Sequence, residues 1–392
     1  MKTFVSISLC FVVVMTSLVL ARQRPAVLGE PLSGITPADF ELFRLGLDDF
    51  LEVETPEEGL GPAFNGTSCA ACHSVPVIGG AGAVAEVRAG RRLPSGEFQA
   101  LDPDGETLFQ IFSIPGHACQ PAIPPEANVI ARRVPVALFG AGLIEAIDDS
   151  TILALEDPTD RNRDGISGRA AMVTDRGTGD TRVGRFGWKA QHATLLAFSG
   201  DAYRNEMGIT NDLFPTELAL GIDADRMRLC DPIPDPEDVA DPRTRRRGID
   251  NFTSFMKFLA PVARGSSDVF VQSGQLIFGN LGCASCHTPL LTTGANAHRL
   301  FDRQPVPLFS DLLLHDIGTG DGIRQGAAGP GEFRTPALWG LRFRRPLLHD
   351  GSAATIEDAI LRHENEGALA RLGFQRATEN EKASLLAFLK SL

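Results

Sequence analysis

Residues 67–75 read TSCAACHSV, and residues 282–290 read GCASCHTPL. Each holds Cys-x-x-Cys-His: Cys69, Cys72 and His73 in one, Cys283, Cys286 and His287 in the other. Two thiols at this spacing can reach two vinyl groups on one edge of a porphyrin. The next residue can then swing its imidazole beneath the ring and onto the iron, which is the attachment chemistry of c-type haem. A structural zinc site would need two further Cys or His at suitable spacing. A redox dithiol would need a βαβ setting. Neither is visible around either motif. The pattern calls for two covalently bound haem c groups, with His73 and His287 as proximal iron ligands, and for electron transfer between them.

A further ligand is readable near the C-terminus. In TIEDAILRHENEG, Thr355 can cap a helix with Asp358 three positions on. Ile356, Ala359, Ile360 and His363 then fall at i, i+3, i+4 and i+7, one apolar face. A lone His on such a face is ordinarily a satisfied core residue. In a haem domain that needs a sixth iron ligand, His363 reads as that ligand.

The elements that must position these groups form a mainly α pattern. SSDVFVQSGQLIFGNLGCASCH offers Ser267 as a cap and puts Gly274 and Phe278 on a helix leading to Cys283. ATENEKASLLAFLKSL offers Thr378 and Glu381 as a capping box, with Leu385, Leu386 and Leu389 as its apolar stripe. Crossed terminal helices of this kind close a small cytochrome-c-like domain. RRVPVALFG (132–140) echoes FRTPALWG (333–340), which fits a duplicated haem domain. The first half carries insertions. One, AVAEVRAGRRLPSGEFQAL, alternates around a Pro-Ser-Gly turn and reads as a small β-hairpin. The expected division is an N-terminal haem domain over 22–250 and a C-terminal one over 262–392, both with long loops. The boundary is expected in a linker near 231–262, where the basic run RTRRR (243–247) reads as solvated chain.

Composition bounds the setting. The first 21 residues carry Lys2 and an apolar run ending in small residues, the form of a secretory signal peptide. An uncleaved membrane anchor is the rival reading. Either places the folded part outside the cytoplasm, in the periplasm or secreted. Removing Lys2, the lone charge of that segment, takes the net charge from −12 to −13. So acidic a chain excludes nucleic-acid binding through a broad basic surface. Of seven cysteines, Cys10 lies in the signal segment and four in the two motifs. Cys119 and Cys230 remain to pair in an oxidising compartment.

DRNRDGISG (160–168) sets Asp160, Asn162 and Asp164 at alternate positions before Gly165, like the start of an EF-hand loop. The twelfth position is Ala171 where a calcium loop has Glu. A polar surface turn is the first reading, and a weak calcium site completed from elsewhere is the second.

With these residues in place, the chain resembles the di-haem oxidoreductases classed with the peroxidases. More distantly it is similar to bacterial di-haem cytochrome c peroxidases and to the di-haem enzyme that matures methylamine dehydrogenase. The resemblance rests on FNGTSCAACHSVP, LFGAGLIEAI, GRFGWKAQHATLLAFSGDAYRNEMGITN, FRTPALWG and LLHDGSAATIEDAILRHENEGA. It implies two cytochrome-c-like domains, one storing an electron and one meeting peroxide. It places Glu206 of NEMG at the catalytic carboxylate and Trp188 between the haems. The family's distal Gln falls on Leu196 here. Its C-terminal Met ligand falls, fourteen residues beyond His349, on His363. The resulting expectation is a secreted peroxidase that reduces hydrogen peroxide with electrons from a small cytochrome or cupredoxin. The alternatives are a di-haem oxidase of another substrate and a non-catalytic electron-transfer cytochrome. The sixth ligand of the N-terminal haem stays open between His117 and His192.

Overall fold

The computed structural model describes residues 27–102, 105–116, 119–231 and 233–392. The expected signal segment, with Cys10, and the candidate ligand His117 lie outside the described residues.

Helix Pro37–Leu51 starts at Thr36, whose hydroxyl accepts the Asp39 N–H (3.1 Å), with Pro37 in the first turn where no N–H is needed. It buries Phe43 and Phe50 against helix Gly248–Phe258, which returns Ile249, Phe252, Phe255 and Met256. Phe255 meets both phenylalanines, at 5.3 and 4.7 Å between ring centroids. Each such buried ring contributes about 1.5–3 kcal/mol. The segment read as linker, 231–262, thus supplies a core helix. Its basic run is structural too. Arg247 forks Asp250 and pairs with Asp212, while Arg246 bonds Asn251 and Ser254. Charge density hid the amphipathic helix that follows.

The C-terminal helices cross as expected. Helix Val269–Asn280 packs on helix Glu379–Ser391, with Phe278, Phe374, Phe388 and Leu385 between them. At the crossing, a Cβ on Gly274 would lie 2.0 Å from the Ser384 carbonyl oxygen, so only glycine lets the backbones approach. Thr378 and Glu381 make the capping box. The first helix is capped by Asp268, not Ser267; its carboxylate accepts the Val271 N–H (2.8 Å).

The two halves interlock. Leu291, Phe301, Val306, Leu308 and Leu312, all beyond the second motif, belong to the first core. Strand Glu86–Arg92 pairs antiparallel with Phe98–Gln99, Leu108–Phe109 and Val129–Arg133, and Leu93 to Glu97 close the expected hairpin. Helices thus outweigh strands, which form only small sheets, and much of the chain is loop. Cys119 and Cys230 form a disulfide with Cα atoms 5.9 Å apart. No helix among the described residues is long and apolar enough to cross a membrane.

Candidate functional site

Each motif makes one turn of helix that puts both sulfurs on one side. Cys69–Cys72 is capped by Ser68, whose hydroxyl accepts the Ala71 N–H (3.1 Å), and Cys283–Ser285 forms a tighter turn. The histidines follow at once. His73 donates Nδ1–H to the Gly80 carbonyl (3.0 Å), and His287 donates to that of Phe309 (3.1 Å). The Phe309 bond fixes the His287 tautomer and leaves its Nε2 free, the form that ligates a metal, while His73 also bonds the Val136 backbone. Burial lowers both imidazole pKa values, that of His287 to about 4, so both are neutral.

Each motif opens on its own cavity. The second is the larger, about 410 Å³ against about 160 Å³. Ile356, Ala359, Ile360 and His363 all line it. Helix Ile356–Leu361 ends earlier than its periodicity suggests, and His363 hangs from the turn beyond it. His363 donates Nδ1–H to the Ala359 carbonyl (2.7 Å), so its Nε2 is also free. Its ring centroid lies 6.5 Å from that of His287. A metal–nitrogen distance of about 2 Å on each side, plus two ring radii, spans roughly this gap. Arg334, buried, and Arg344, half-buried, face the same cavity, and burial lowers both to about 10. Neither makes a direct ion pair among the described residues, although Asp311 acts on Arg334 from a distance, and Arg344 Nε has no hydrogen bond. A group that brings its own carboxylates, as a porphyrin does, would neutralise them. Haem fits this site by its donors, by the gap and by the uncompensated charge.

The first cavity is lined differently. Among the described residues its lining holds no second histidine. His192 instead bonds Asp201 (2.9 Å) outside the lining. Glu206 does reach the cavity. It sits in a π-helical turn, Tyr203–Met207, of the kind that often marks functional sites. Its carbonyl accepts the N–H groups of Asn65 (2.7 Å) and Gly66 (3.2 Å), just ahead of the haem motif. Its carboxyl accepts from Asn65 Nδ2 (2.7 Å) and is hydrogen-bonded to Glu86. Arg88 forks Glu86 (2.6 and 3.0 Å). Burial, then the Glu86 charge, raises Glu206 to about 8, while Arg88 lowers Glu86 despite its burial. The pair thus keeps a proton on Glu206 and a charge on Glu86, a split that separates acid from base.

Trp188 lines both cavities. Its indole N–H donates to the Val134 carbonyl (2.8 Å), and its ring meets Phe333 and His349 edge-on (6.4 and 6.2 Å). Gly187, before it, has φ +78°, and a Cβ there would strike the Gln191 amide at 2.2 Å. That tight loop folds Gln191 into the first cavity, whereas Leu196 packs in the core. Gln191, which the sequence reading did not single out, faces the cavity because the loop, not a helix, sets its direction. Glu86 and Arg88 were also missed. Their i, i+2 spacing on the predicted hairpin was the available signal, since it puts both on one face. Asp160, Asn162 and Asp164 close their own turn. Asp160 accepts from the Gly165 N–H, Asn162 from the Asp164 N–H, and Asp164 from both Asn162 and Ile166.

The family described as "Di-haem oxidoreductase, putative peroxidase" matches residues 125–392. The chain belongs to that family, and membership implies two haem groups and an oxidoreductase. It is 31% identical over 132 residues to the methylamine utilization protein MauG of Methylorubrum extorquens, covering 30% of this chain and 32% of that one. It is 27% identical over 148 residues to the cytochrome-c peroxidase IdrP1 of Denitromonas iodatirespirans, covering 31% and 39%. The matched segments thus span about a third of these relatives. The solved diheme peroxidase BthA of Burkholderia thailandensis is similar over 94% of this chain and 87% of its own, at 16% identity and a TM-score of 0.40.

Proposed function

We propose that the chain is a secreted di-haem peroxidase that reduces hydrogen peroxide to water. Cys69 and Cys72 attach one haem c and Cys283 and Cys286 the other, with His73 and His287 as proximal ligands. His363 would hold the iron of the second site together with His287, and a haem there would supply electron storage and relay. Peroxide binds in the first cavity. Haem bound there would supply the iron that holds the peroxide and the electrons that cleave its O–O bond.

The protein's own part is proton transfer. Glu206 takes a proton from one peroxide oxygen and delivers it to the other, which leaves as water. Glu86 receives or returns the Glu206 proton, and Asn65 holds the carboxyl in place. Peroxide, two protons and two electrons give two waters. Trp188 spans the two cavities and carries electrons between them, and a small cytochrome or cupredoxin replaces them from outside.

The observation that carries this reading is the half-buried, hydrogen-bonded Glu206–Glu86 pair in the wall of the His73 cavity. Purified protein, given a reduced cytochrome, should consume peroxide. Glu206→Gln should keep both haems and lose about a hundredfold or more in turnover, the usual scale of general acid–base catalysis. Turnover within a few-fold of the parent would remove Glu206 from the mechanism.

A further inference from the structure

Tyr203 is the only tyrosine in a chain that has 24 phenylalanines. It lines the first cavity three positions before Glu206, in the same π-helical turn. Its ring packs edge-on to Phe252, with centroids 5.0 Å apart, a contact that a phenylalanine would make equally well. The hydroxyl therefore needs its own explanation. It donates to Glu54 Oε1 at 2.7 Å, and both residues are 8% exposed. Glu54 is tied to the haem-attachment loop, because its N–H donates to the Thr67 carbonyl (2.8 Å) two residues before Cys69.

A buried phenol can lose an electron only if its proton leaves with it. The radical cation would otherwise be an uncompensated charge in a poorly solvated site. A carboxylate within hydrogen-bond reach accepts that proton with no movement of heavy atoms. Trp188 has no such outlet, since its N–H faces a backbone carbonyl, which is not a base at neutral pH. The two oxidisable rings in this wall are thus set up differently, Trp188 to pass an electron and Tyr203 to hold a hole.

We infer that Tyr203 and Glu54 form a redox pair that stores one oxidising equivalent at the first site. This inference rests on the proposed peroxide chemistry and adds a residue to it. Tyr203 gives up one electron, which a haem held at the first site would pass on to hydrogen peroxide. The phenol O–H bond breaks, and the proton moves to Glu54. The products are a neutral tyrosyl radical and a neutral Glu54 carboxylic acid. That electron is one of the two that peroxide consumes, and the second comes from the haem pair. An external one-electron donor later reduces the radical, and Glu54 returns the proton.

The single tyrosine makes the test specific. Haem-loaded protein is mixed with hydrogen peroxide without a donor, frozen within milliseconds, and read by EPR alongside peroxide consumption. A radical signal should appear and should narrow when the protein is grown on ring-deuterated tyrosine. Tyr203→Phe should abolish it. Glu54→Gln, which keeps an acceptor but not a base, should cut its yield by about tenfold or more. A signal insensitive to the label, or peroxide consumed with no radical, would overturn the pair and leave the peroxidase reading intact. Absence of peroxide consumption would overturn both. The label acts on unaltered protein, so a poorly folding variant does not blur the result.

Discussion

The Cys69–His73 cavity and the Cys283–His287 cavity grow from the same five-residue pattern, yet their walls differ in kind. Behind the second motif a turn brings His363 to 6.5 Å from His287, with Ile356, Ala359 and Ile360 around it. Behind the first, two carboxyl groups, Asn65 and Gln191 occupy the wall. The sequence pattern is shared, and the surrounding packing differs. A wall with two neutral imidazoles and two arginines, and no proton-sharing carboxyl pair beside them, suits an iron that only changes charge. A wall with a proton-sharing carboxyl pair suits an iron at which bonds change.

The largest expected effect breaks that contrast outright. His363→Ala should turn the second haem from low-spin to high-spin and let it bind carbon monoxide when reduced. His363→Met should keep it low-spin and raise its potential, since Met ligation raises potentials. An unchanged low-spin EPR signal in His363→Ala would show that the iron's partner is another residue.

The next effect sharpens the second site. His315 lies between Asp311 (2.9 Å) and Glu366 (2.7 Å), and Glu366 is three residues beyond His363. Despite burial, these partners raise the imidazole to about 12. Its charged form is therefore favoured by folding. That contribution is complete below the unfolded value near 6.5 and fades as pH rises toward 12. His315→Gln should leave two buried carboxylates unpaired and cost about 3–5 kcal/mol at neutral pH, measured by denaturant unfolding. A cost under about 1 kcal/mol would mean that water already reaches the pair.

A smaller effect tests the first site. Glu206 at about 8 predicts that peroxide turnover rises with pH through about that value, as the carboxylate form that accepts the proton fills. Glu86→Gln removes the charge and the hydrogen bond that help hold Glu206 up. It should lower the midpoint by about one unit. A midpoint that does not move would place the titration on another group.

The smallest effect concerns the bridge. Trp188→Phe should leave both haem spectra unchanged and slow electron transfer between the haems, measured by flash reduction of one haem. Transfer at the parental rate would make Trp188 a packing residue.

The linear chain determined whatever depends on neighbours within a few residues. The two Cys-x-x-Cys-His turns, the capping boxes at Thr355 and Thr378 and the hairpin after Glu86 all follow from spacing and local hydrogen bonding, whereas the helix expected to carry His363 stops at Leu361. Glu206 and Trp188 were legible only through resemblance, since nothing local distinguishes them from a surface acid and a core aromatic. Tertiary structure decided the rest. Glu206 meets Asn65 across 141 positions, and Tyr203 meets Glu54 across 149. His315, in a strand of two residues, finds a carboxylate 51 positions away. Burial and partner choice set the charge of such groups, and both come from packing between distant segments. A carboxylate that is ordinary in the linear chain therefore becomes an acid near pH 8 only once the first cavity has closed around it.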